Sequence, residues 1–173
     1  MERPYWWSDR SSTRRSAAGR REFERLGCRG SALILYVDTS AWVKLYVREA
    51  GSKELRACTT KAEVMAASVV AYPEARAAFA RLKAQGTSTE AKHQQRLAQL
   101  NADWGNLLRI ELVPSVVRTA GDLAEVYGLR GFDSIHLASA LWLKEKTSTA
   151  FYFAVFDQRL RAAAERAGLV VVP

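Results

Sequence analysis

Short apolar runs alternate along this chain with longer segments in which apolar residues recur every three or four positions. Continuous apolar runs of about four to eight residues are typical of strands buried on both faces, and the wider spacing is typical of amphipathic helices. The predicted strands cover residues 33–37, 64–70, 109–113, 152–156 and 169–172. The predicted helices cover residues 41–46, 52–60, 73–84, 87–108, 115–127, 133–146 and 159–167. Apolar strands that alternate with helices predict a mostly parallel sheet flanked by helices.

Proline, serine and glycine residues predict several helix ends. Pro73 is expected to begin a helix, because proline is favourable at a first helical position, where the N–H that it lacks is not needed. Ser115 is expected to cap the following helix through its hydroxyl group. Gly128 and Gly168 are expected to end helices, since glycine readily adopts the left-handed conformation found there.

The first 30 residues have a different character. They show no sustained periodicity, are rich in arginine, serine and glycine, and hold eight arginines against four acidic residues. This composition predicts a flexible basic extension over residues 1–30 and a folded domain over residues 31–173. Half of the formal net charge of +8 lies in the extension, so the domain itself is only mildly basic. Charge alone therefore favours a nucleic-acid partner only weakly.

Length and cysteine content exclude several classes of protein. A chain of 173 residues can bury one sizeable hydrophobic core. It has no apolar run of 18 residues, so a membrane span is not expected. Cys28 and Cys58 match no metal-site spacing and no disulfide framework, which favours a reducing cytoplasm.

Four carboxylates stand at the ends of apolar segments. Asp38 and Asp157 each follow a predicted strand, whereas Glu74 and Asp133 lie at predicted helix N-termini. Ligand sites in open parallel sheets lie at the carboxyl ends of the strands, and the N-termini of the following helices face the same edge. The four carboxylates are therefore expected to converge in one crevice. Each of them alone has a simpler explanation, as a helix cap or as a first-turn acid.

Converging carboxylates repel one another, and this repulsion points to a bound cation. Two like charges about 4 Å apart repel by about 4 kcal/mol at an effective dielectric constant of about 20, and a helix N-terminus offsets only about 0.3–1 kcal/mol. A divalent cation removes the conflict. Carboxylate oxygens suit Mg²⁺ or Mn²⁺ rather than zinc.

Four stretches of the chain carry a family resemblance. In order, they read VDTSAWVKLYV, SVVAYPEARAAF, GLRGFDSIHLASAL and FAVFDQRLRAAAERAGLVVV. Their order and spacing resemble the PIN domain and, within that family, the VapC-like toxin nucleases of type II toxin–antitoxin pairs. The resemblance covers about residues 33–173 and leaves the first 30 unmatched. Each motif is weak by itself, but the four together are quite specific.

The resemblance implies a metal-dependent endoribonuclease with a Rossmann-like three-layer α/β/α sandwich, using Mg²⁺ or Mn²⁺. The acidic positions of the family fall on Asp38, Glu74, Asp133 and Asp157, and its supporting hydroxyl falls on Ser40. The family often has Thr or Ser two residues before the fourth acid, where this chain has Val155. The resemblance also implies an RNA substrate, a VapB-like antitoxin, a homodimer and a cytoplasmic location.

Several basic residues and one histidine lie close to these motifs. Arg130, Lys44 and Arg48 are candidate RNA contacts, although solvated surface residues have the same appearance. His136 lies one turn after Asp133 and is interpreted as a packed histidine rather than a catalytic one. A non-catalytic alternative remains open, in which the acidic crevice accepts a basic segment of a partner protein.

Overall fold

The computed structural model describes residues 33–173. Its strands are β1 (Leu33–Val37), β2 (Val64–Ser68), β3 (Leu108–Ile110), β4 (Ala150–Ala154) and β5 (Val170–Val172). Its helices are α1 (Thr39–Lys44), α2 (Ser52–Thr59), α3 (Ala71–Ala84), α4 (Glu90–Trp104), α5 (Pro114–Tyr127), α6 (Gly131–Glu145) and α7 (Gln158–Arg166).

The strands form one parallel sheet in the order β3-β2-β1-β4-β5. The central strand β1 is paired on both sides, with Leu35 opposite Met65 of β2 and opposite Tyr152 of β4. All five residues of β1 are buried. A strand in this position needs apolar side chains on both faces, and for this reason the run LILYV carries no alternating pattern.

Alternate residues of the sheet contribute to two cores. Leu35 and Val37 point to the face that is covered by α1, α2, α3 and α4, where Trp42 and Phe79 are fully buried. Tyr36 points to the opposite face, which is covered by α6 and α7. Helix α5 packs mainly against the outer side of α6. Helices on both faces of the sheet confirm the predicted three-layer α/β/α sandwich.

Some predicted helix ends are confirmed and others are wrong. Gly128 has a positive φ angle directly after the end of α5, and Gly168 has one two residues after Arg166, the last residue of α7, as expected. Helix α3, however, begins at Ala71, and Pro73 lies inside its first turn, where a missing N–H costs no hydrogen bond. Helix α5 begins at Pro114 rather than after Ser115, because proline itself is favourable at the first position and no side chain caps this helix.

One helix is shorter than its apolar pattern predicts, and one strand lies two residues closer to the N-terminus than predicted. Helix α4 spans Glu90–Trp104 instead of residues 87–108, because the Thr89 hydroxyl accepts a hydrogen bond from the Lys92 N–H and so begins the helix there. Strand β4 spans Ala150–Ala154 instead of residues 152–156. Asp157 therefore does not follow the strand directly, and two connecting residues precede it. The apolar run continues past the last ladder pair and so hides the end of the strand.

Three further predictions concern the cysteines, the first 30 residues and a membrane span. Cys58 is a buried free thiol, whereas Cys28 and the proposed extension over residues 1–30 lie outside the described residues. Within residues 33–173, no helix is long and apolar enough to cross a membrane.

Candidate active site

Asp38 lies at the carboxyl end of the central strand and is only 4% exposed. Its backbone N–H donates to the Ala154 carbonyl, which extends the β1–β4 pairing by one residue. Its side chain caps α1, with Oδ1 accepting from the Ala41 N–H at 2.8 Å and from the Ser40 hydroxyl at 2.9 Å. Burial raises the pKa of Asp38, and the His136 charge and the hydrogen bonds oppose that rise. The fold thus holds a carboxylate where its charge is poorly solvated.

Ser40 links Asp38 to the segment that connects β4 to α7. Its hydroxyl donates to Asp38 and accepts a hydrogen bond from the Phe156 N–H at 2.9 Å. One side chain therefore ties the end of β1 to the segment that leads into Asp157. The role of Ser40 in supporting a metal site stays a prediction. Val155 is fully buried in the second core, so a small polar contact at that position is absent from this chain.

Glu74 lies in the first turn of α3 and is held by two neighbours. Its Oε2 accepts from the Thr39 hydroxyl at 2.6 Å and lies 2.8 Å from His136 Nε2. These contacts connect α1, α3 and α6 at one edge of the sheet. Although burial raises the pKa of Glu74, the hydrogen bonds from His136 and Thr39 outweigh it, and the pKa is lowered overall. The two hydrogen bonds therefore favour the ionised form of the Glu74 carboxylate.

Asp133 and Asp157 form the more exposed part of the site. Asp133 is half-buried in the first turn of α6, and Asp157 is exposed. Burial raises the pKa of Asp133, and the neighbouring charge of Asp157 raises it further. Asp157 also caps α7, with Oδ1 accepting from the Leu160 N–H at 2.9 Å. The simple explanation of Asp157 as a helix cap is thus correct, and it does not conflict with a role in the site.

The predicted RNA contacts differ in how free their charges are. Arg130 and Arg48 are exposed. The positive charge of Arg130 partly opposes the rise in the pKa of Asp133, so the two side chains lie near each other. The Lys44 amine instead binds Glu49 at 2.8 Å and lies 4.6 Å from the centre of the Phe156 ring. Its side chain is only 17% exposed. Arg130 therefore has a charge that faces solvent beside the carboxylates, whereas Lys44 is already engaged within the protein.

His136 is the residue whose importance the sequence conceals. It is 2% exposed, as expected of a packed histidine, but Nε2 faces Glu74 and also lies 3.0 Å from the Thr39 hydroxyl. Its Nδ1 lies 3.4 Å from the Tyr36 hydroxyl. Its position one turn after Asp133 was a signal that it lies near the site, but its partner Glu74 is 62 positions away in sequence.

The carboxylates suit a hard divalent cation without forming a finished cage. Across residues 33–173, no three or more acidic, histidine or cysteine side chains are already placed to hold a metal ion. Magnesium is usually bound through one or two carboxylates while keeping several waters, so it does not need such a cage. Asp38 is a buried carboxylate, and Asp133 is influenced by the negative charges of Asp157 and Glu74. These side chains therefore provide oxygen donors and an excess of negative charge, both of which a hard divalent cation would suit.

A family model of the PIN domain matches residues 35–166 of this chain. The chain belongs to the PIN-domain family. The matched region contains all four carboxylates and most of the sheet. In this PIN domain the acidic residues are therefore part of the segment that defines the family, rather than an addition to it.

Curated relatives of this PIN domain are similar over most of their length. Ribonuclease VapC45 from Mycobacterium tuberculosis (strain CDC 1551 / Oshkosh) is 37% identical over 144 residues, which are 81% of this chain and 95% of that protein. Ribonuclease VapC49 from strain ATCC 25618 / H37Rv matches to the same extent. Ribonuclease VapC46 from strain ATCC 25618 / H37Rv is 33% identical over 138 residues, 80% of this chain and 95% of its own.

Solved structures share the fold of this PIN domain at low sequence identity. FitAcB from Neisseria gonorrhoeae aligns with a TM-score of 0.57 and 16% identity over 80% of this chain and 96% of that chain. VapBC2 from Rickettsia felis, bound to a DNA fragment from its promoter, aligns with a TM-score of 0.56 and 13% identity over 80% and 97%. At these identities the similarity establishes the fold, and it agrees with the three-layer sandwich of the present structure.

Proposed function

We propose that this PIN domain is a metal-dependent endoribonuclease and the toxin of a toxin–antitoxin pair. The observation that carries the proposal is the buried Asp38 carboxylate at the end of the central strand, with Glu74 and Asp133 at the same sheet edge. A carboxylate that served stability alone would not be expected in a poorly solvated position beside other acids. The curated relatives support the reaction class, because each is named a ribonuclease.

Asp38, Glu74, Asp133 and Asp157 would hold the Mg²⁺ or Mn²⁺ ion. When bound, such an ion supplies charge that stabilises the phosphoryl transition state and lowers the pKa of a bound water. The chain itself contributes the placement of the acids. Ser40 fixes the orientation of the Asp38 carboxylate, and the exposed Arg130 and Arg48 would bind RNA phosphates, with Lys44 as a weaker contact.

We propose a VapB-like antitoxin and a second copy of the chain as protein partners. The solved structures described as a toxin–antitoxin complex from Klebsiella pneumoniae and as VapBC2 support the antitoxin. A crowded acidic site attracts a cationic side chain, so an Arg or Lys from the antitoxin would enter the site and suppress cleavage. We also propose a cytoplasmic location, where the protein would meet its RNA substrate.

The first experiment is incubation of the full-length protein with total RNA in the presence of Mg²⁺, Mn²⁺ or EDTA, followed by mapping of the new RNA ends. We expect discrete cleavage with either cation and none with EDTA. The Asp38→Asn protein is the matched control, because it removes one charge and keeps the shape of the side chain. Binding of a basic protein segment without any cation-dependent cleavage would instead favour the non-catalytic alternative.

A second experiment tests the partner. The protein is purified together with the product of the neighbouring small reading frame, and cleavage is measured with and without that product. Inhibition that is lost when one Arg or Lys of the small protein is replaced would support the proposal. Purification from the native operon with no associated small protein would contradict it.

A further inference from the structure

Glu74 carries an asymmetric set of hydrogen bonds. Its Oε2 accepts hydrogen bonds from the Thr39 hydroxyl at 2.6 Å and from His136 Nε2 at 2.8 Å. Among residues 33–173, Oε1 receives no hydrogen bond. One oxygen is thus saturated by the protein while the other remains available. In contrast to Asp38, whose contacts come from its own helix turn, Glu74 is oriented by residues from two other helices.

The position of one proton follows from this contact. A carboxylate has no hydrogen of its own to donate, so Glu74 Oε2 can only accept hydrogen bonds. His136 Nε2 must therefore carry a hydrogen, in the neutral ring as well as in the charged ring. The Thr39 hydroxyl gives its own hydrogen to Glu74, so its oxygen can accept from Nε2 at 3.0 Å. The three groups form a closed triangle of contacts.

The other ring nitrogen is held from the core side. Tyr36 Oη lies 3.4 Å from His136 Nδ1, and the two rings meet edge-to-face with their centroids 6.4 Å apart. The Tyr36 hydroxyl can both donate and accept a hydrogen bond, so it can pair with Nδ1 in either form of the ring. Tyr36 itself belongs to β1 and is fully buried. Tyr36 in the sheet thus contacts one nitrogen of the His136 ring, while the other nitrogen contacts Glu74. Contact with both sides fixes the orientation of the ring.

We propose that His136 and Thr39 are positioning residues that hold Glu74 Oε2, so that Oε1 is presented to the divalent cation of the site. This inference rests on the proposed function, since it assumes a cation bound by Glu74. It assigns to His136 a role that packing alone does not require, because a buried leucine would fill similar space. Partners of metal-binding side chains that act in this way typically change metal affinity by about 10–100-fold when they are removed.

The test measures Mn²⁺ affinity by calorimetry on the full-length protein without RNA. We expect His136→Leu to weaken Mn²⁺ binding by about 10–100-fold and Thr39→Val to weaken it by a smaller factor. His136→Gln should recover most of the affinity, because a glutamine amide nitrogen can reach the place of Nε2. Thr39→Ser should likewise bind Mn²⁺ almost as tightly as the wild type, since it keeps the hydroxyl.

A double-mutant cycle separates positioning from general loss of stability. If His136 acts through Glu74, then Glu74→Ala combined with His136→Leu should bind Mn²⁺ no more weakly than Glu74→Ala alone. Leu137→Ala is the matched control, because Leu137 is the next residue of α6 and is fully buried in the second core. It should lower the melting temperature and leave Mn²⁺ affinity unchanged.

The outcomes distinguish this inference from the proposed function. Unchanged Mn²⁺ affinity in both His136→Leu and Thr39→Val, or losses that add to that of Glu74→Ala, would overturn the positioning role. Normal Mn²⁺ binding without any RNA cleavage would overturn the proposed function and leave the positioning role standing. If the wild-type protein binds no Mn²⁺, or binds it equally well after Asp38→Asn, both the positioning role and the proposed function are overturned. If His136→Leu fails to fold, the Thr39→Val cycle with Glu74→Ala decides the question.

Discussion

The two aspartates that follow strands β1 and β4 share a local role but have very different surroundings. Asp38 and Asp157 both cap a helix through Oδ1, at 2.8 and 2.9 Å from a backbone N–H. Asp38 is 4% exposed and burial raises its pKa, whereas Asp157 faces solvent. The same capping geometry therefore costs little where the carboxylate faces solvent, as in Asp157, and much more where it is buried, as in Asp38. A function that needs a charged group explains why the central position keeps its acid.

The same contrast divides the site into two halves. The inner half consists of Asp38 and Glu74, which are fixed by Ser40, Thr39 and His136. The outer half consists of Asp133 and Asp157, which interact through their charges. We expect the inner half to control whether a cation binds at all and the outer half to adjust how well the bound cation works.

The largest effect is expected from Asp38→Asn. Loss of cation-dependent transition-state stabilisation of several kcal/mol should reduce RNA cleavage by about a thousandfold or more. Without metal, the variant should be at least as stable as the wild type, because asparagine caps a helix as well as aspartate does and carries no buried charge. Cleavage rates and melting curves in EDTA measure both effects. Normal Mg²⁺-dependent cleavage by this variant would refute the site.

The stability advantage of Asp38→Asn should depend on pH. A raised pKa in the folded protein means that the folded state keeps its proton more readily than the unfolded chain does. Wild-type stability in EDTA is therefore penalised as pH rises from about 3.9, the unfolded value, through the raised folded pKa of Asp38. Below that window the two proteins should be equally stable, apart from other effects of the substitution. An advantage that is largest in acid would show that desolvation of the Asp38 charge is not its cause.

A smaller effect is expected from Asp157→Asn, which keeps the cap and removes the exposed charge. We expect cleavage to fall by about tenfold, or about 1.4 kcal/mol of barrier, which is less than for Asp38, because solvent screens the exposed Asp157 charge. Asp157→Ala should add a stability loss of about 1 kcal/mol, because the cap of α7 is then missing as well. Chemical denaturation and cleavage assays separate the two losses. If Asp157→Asn were as inactive as Asp38→Asn, the division into two halves would be wrong.

Arg130 and Lys44 provide a comparison among the basic residues. Arg130→Ala should weaken RNA binding across sequences and reduce the slope of log affinity against log salt by about one. Lys44→Met should leave RNA affinity nearly unchanged and cost less than about 1 kcal/mol of stability, because it loses the Glu49 pair and the Phe156 contact. Binding titrations at several salt concentrations test both variants. Equal effects of the two on the salt slope would show that the Lys44 amine leaves Glu49 to reach RNA.

The smallest effect is expected from deletion of residues 1–30. Their composition and their position outside the family match predict that the remaining domain keeps its melting temperature and its metal-dependent cleavage. Half of the net positive charge is removed, so weak binding to RNA should become less sensitive to salt. A melting temperature that falls by many degrees would show that the extension packs on the domain.

The sequence by itself determined the alternation of strands and helices and the edge at which the acids gather. Both follow from rules that act over short distances, since buried parallel strands need continuous apolar runs and carboxyl ends share one edge. Its weakest predictions were the ends of elements. The apolar run that contains β4 continues through Phe156, so only the pairing with β1 reveals that the strand ends at Ala154.

Only the tertiary structure decided which side chains work together at that edge. Glu74 meets Thr39 and His136 across 35 and 62 positions of sequence, and no local pattern encodes those distances. The unequal burial of Asp38 and Asp157 likewise depends on how many strands and helices surround each one. The sequence specifies the types of residue at each end, and long-range packing decides which charge is desolvated, which is solvated and which is held by a partner.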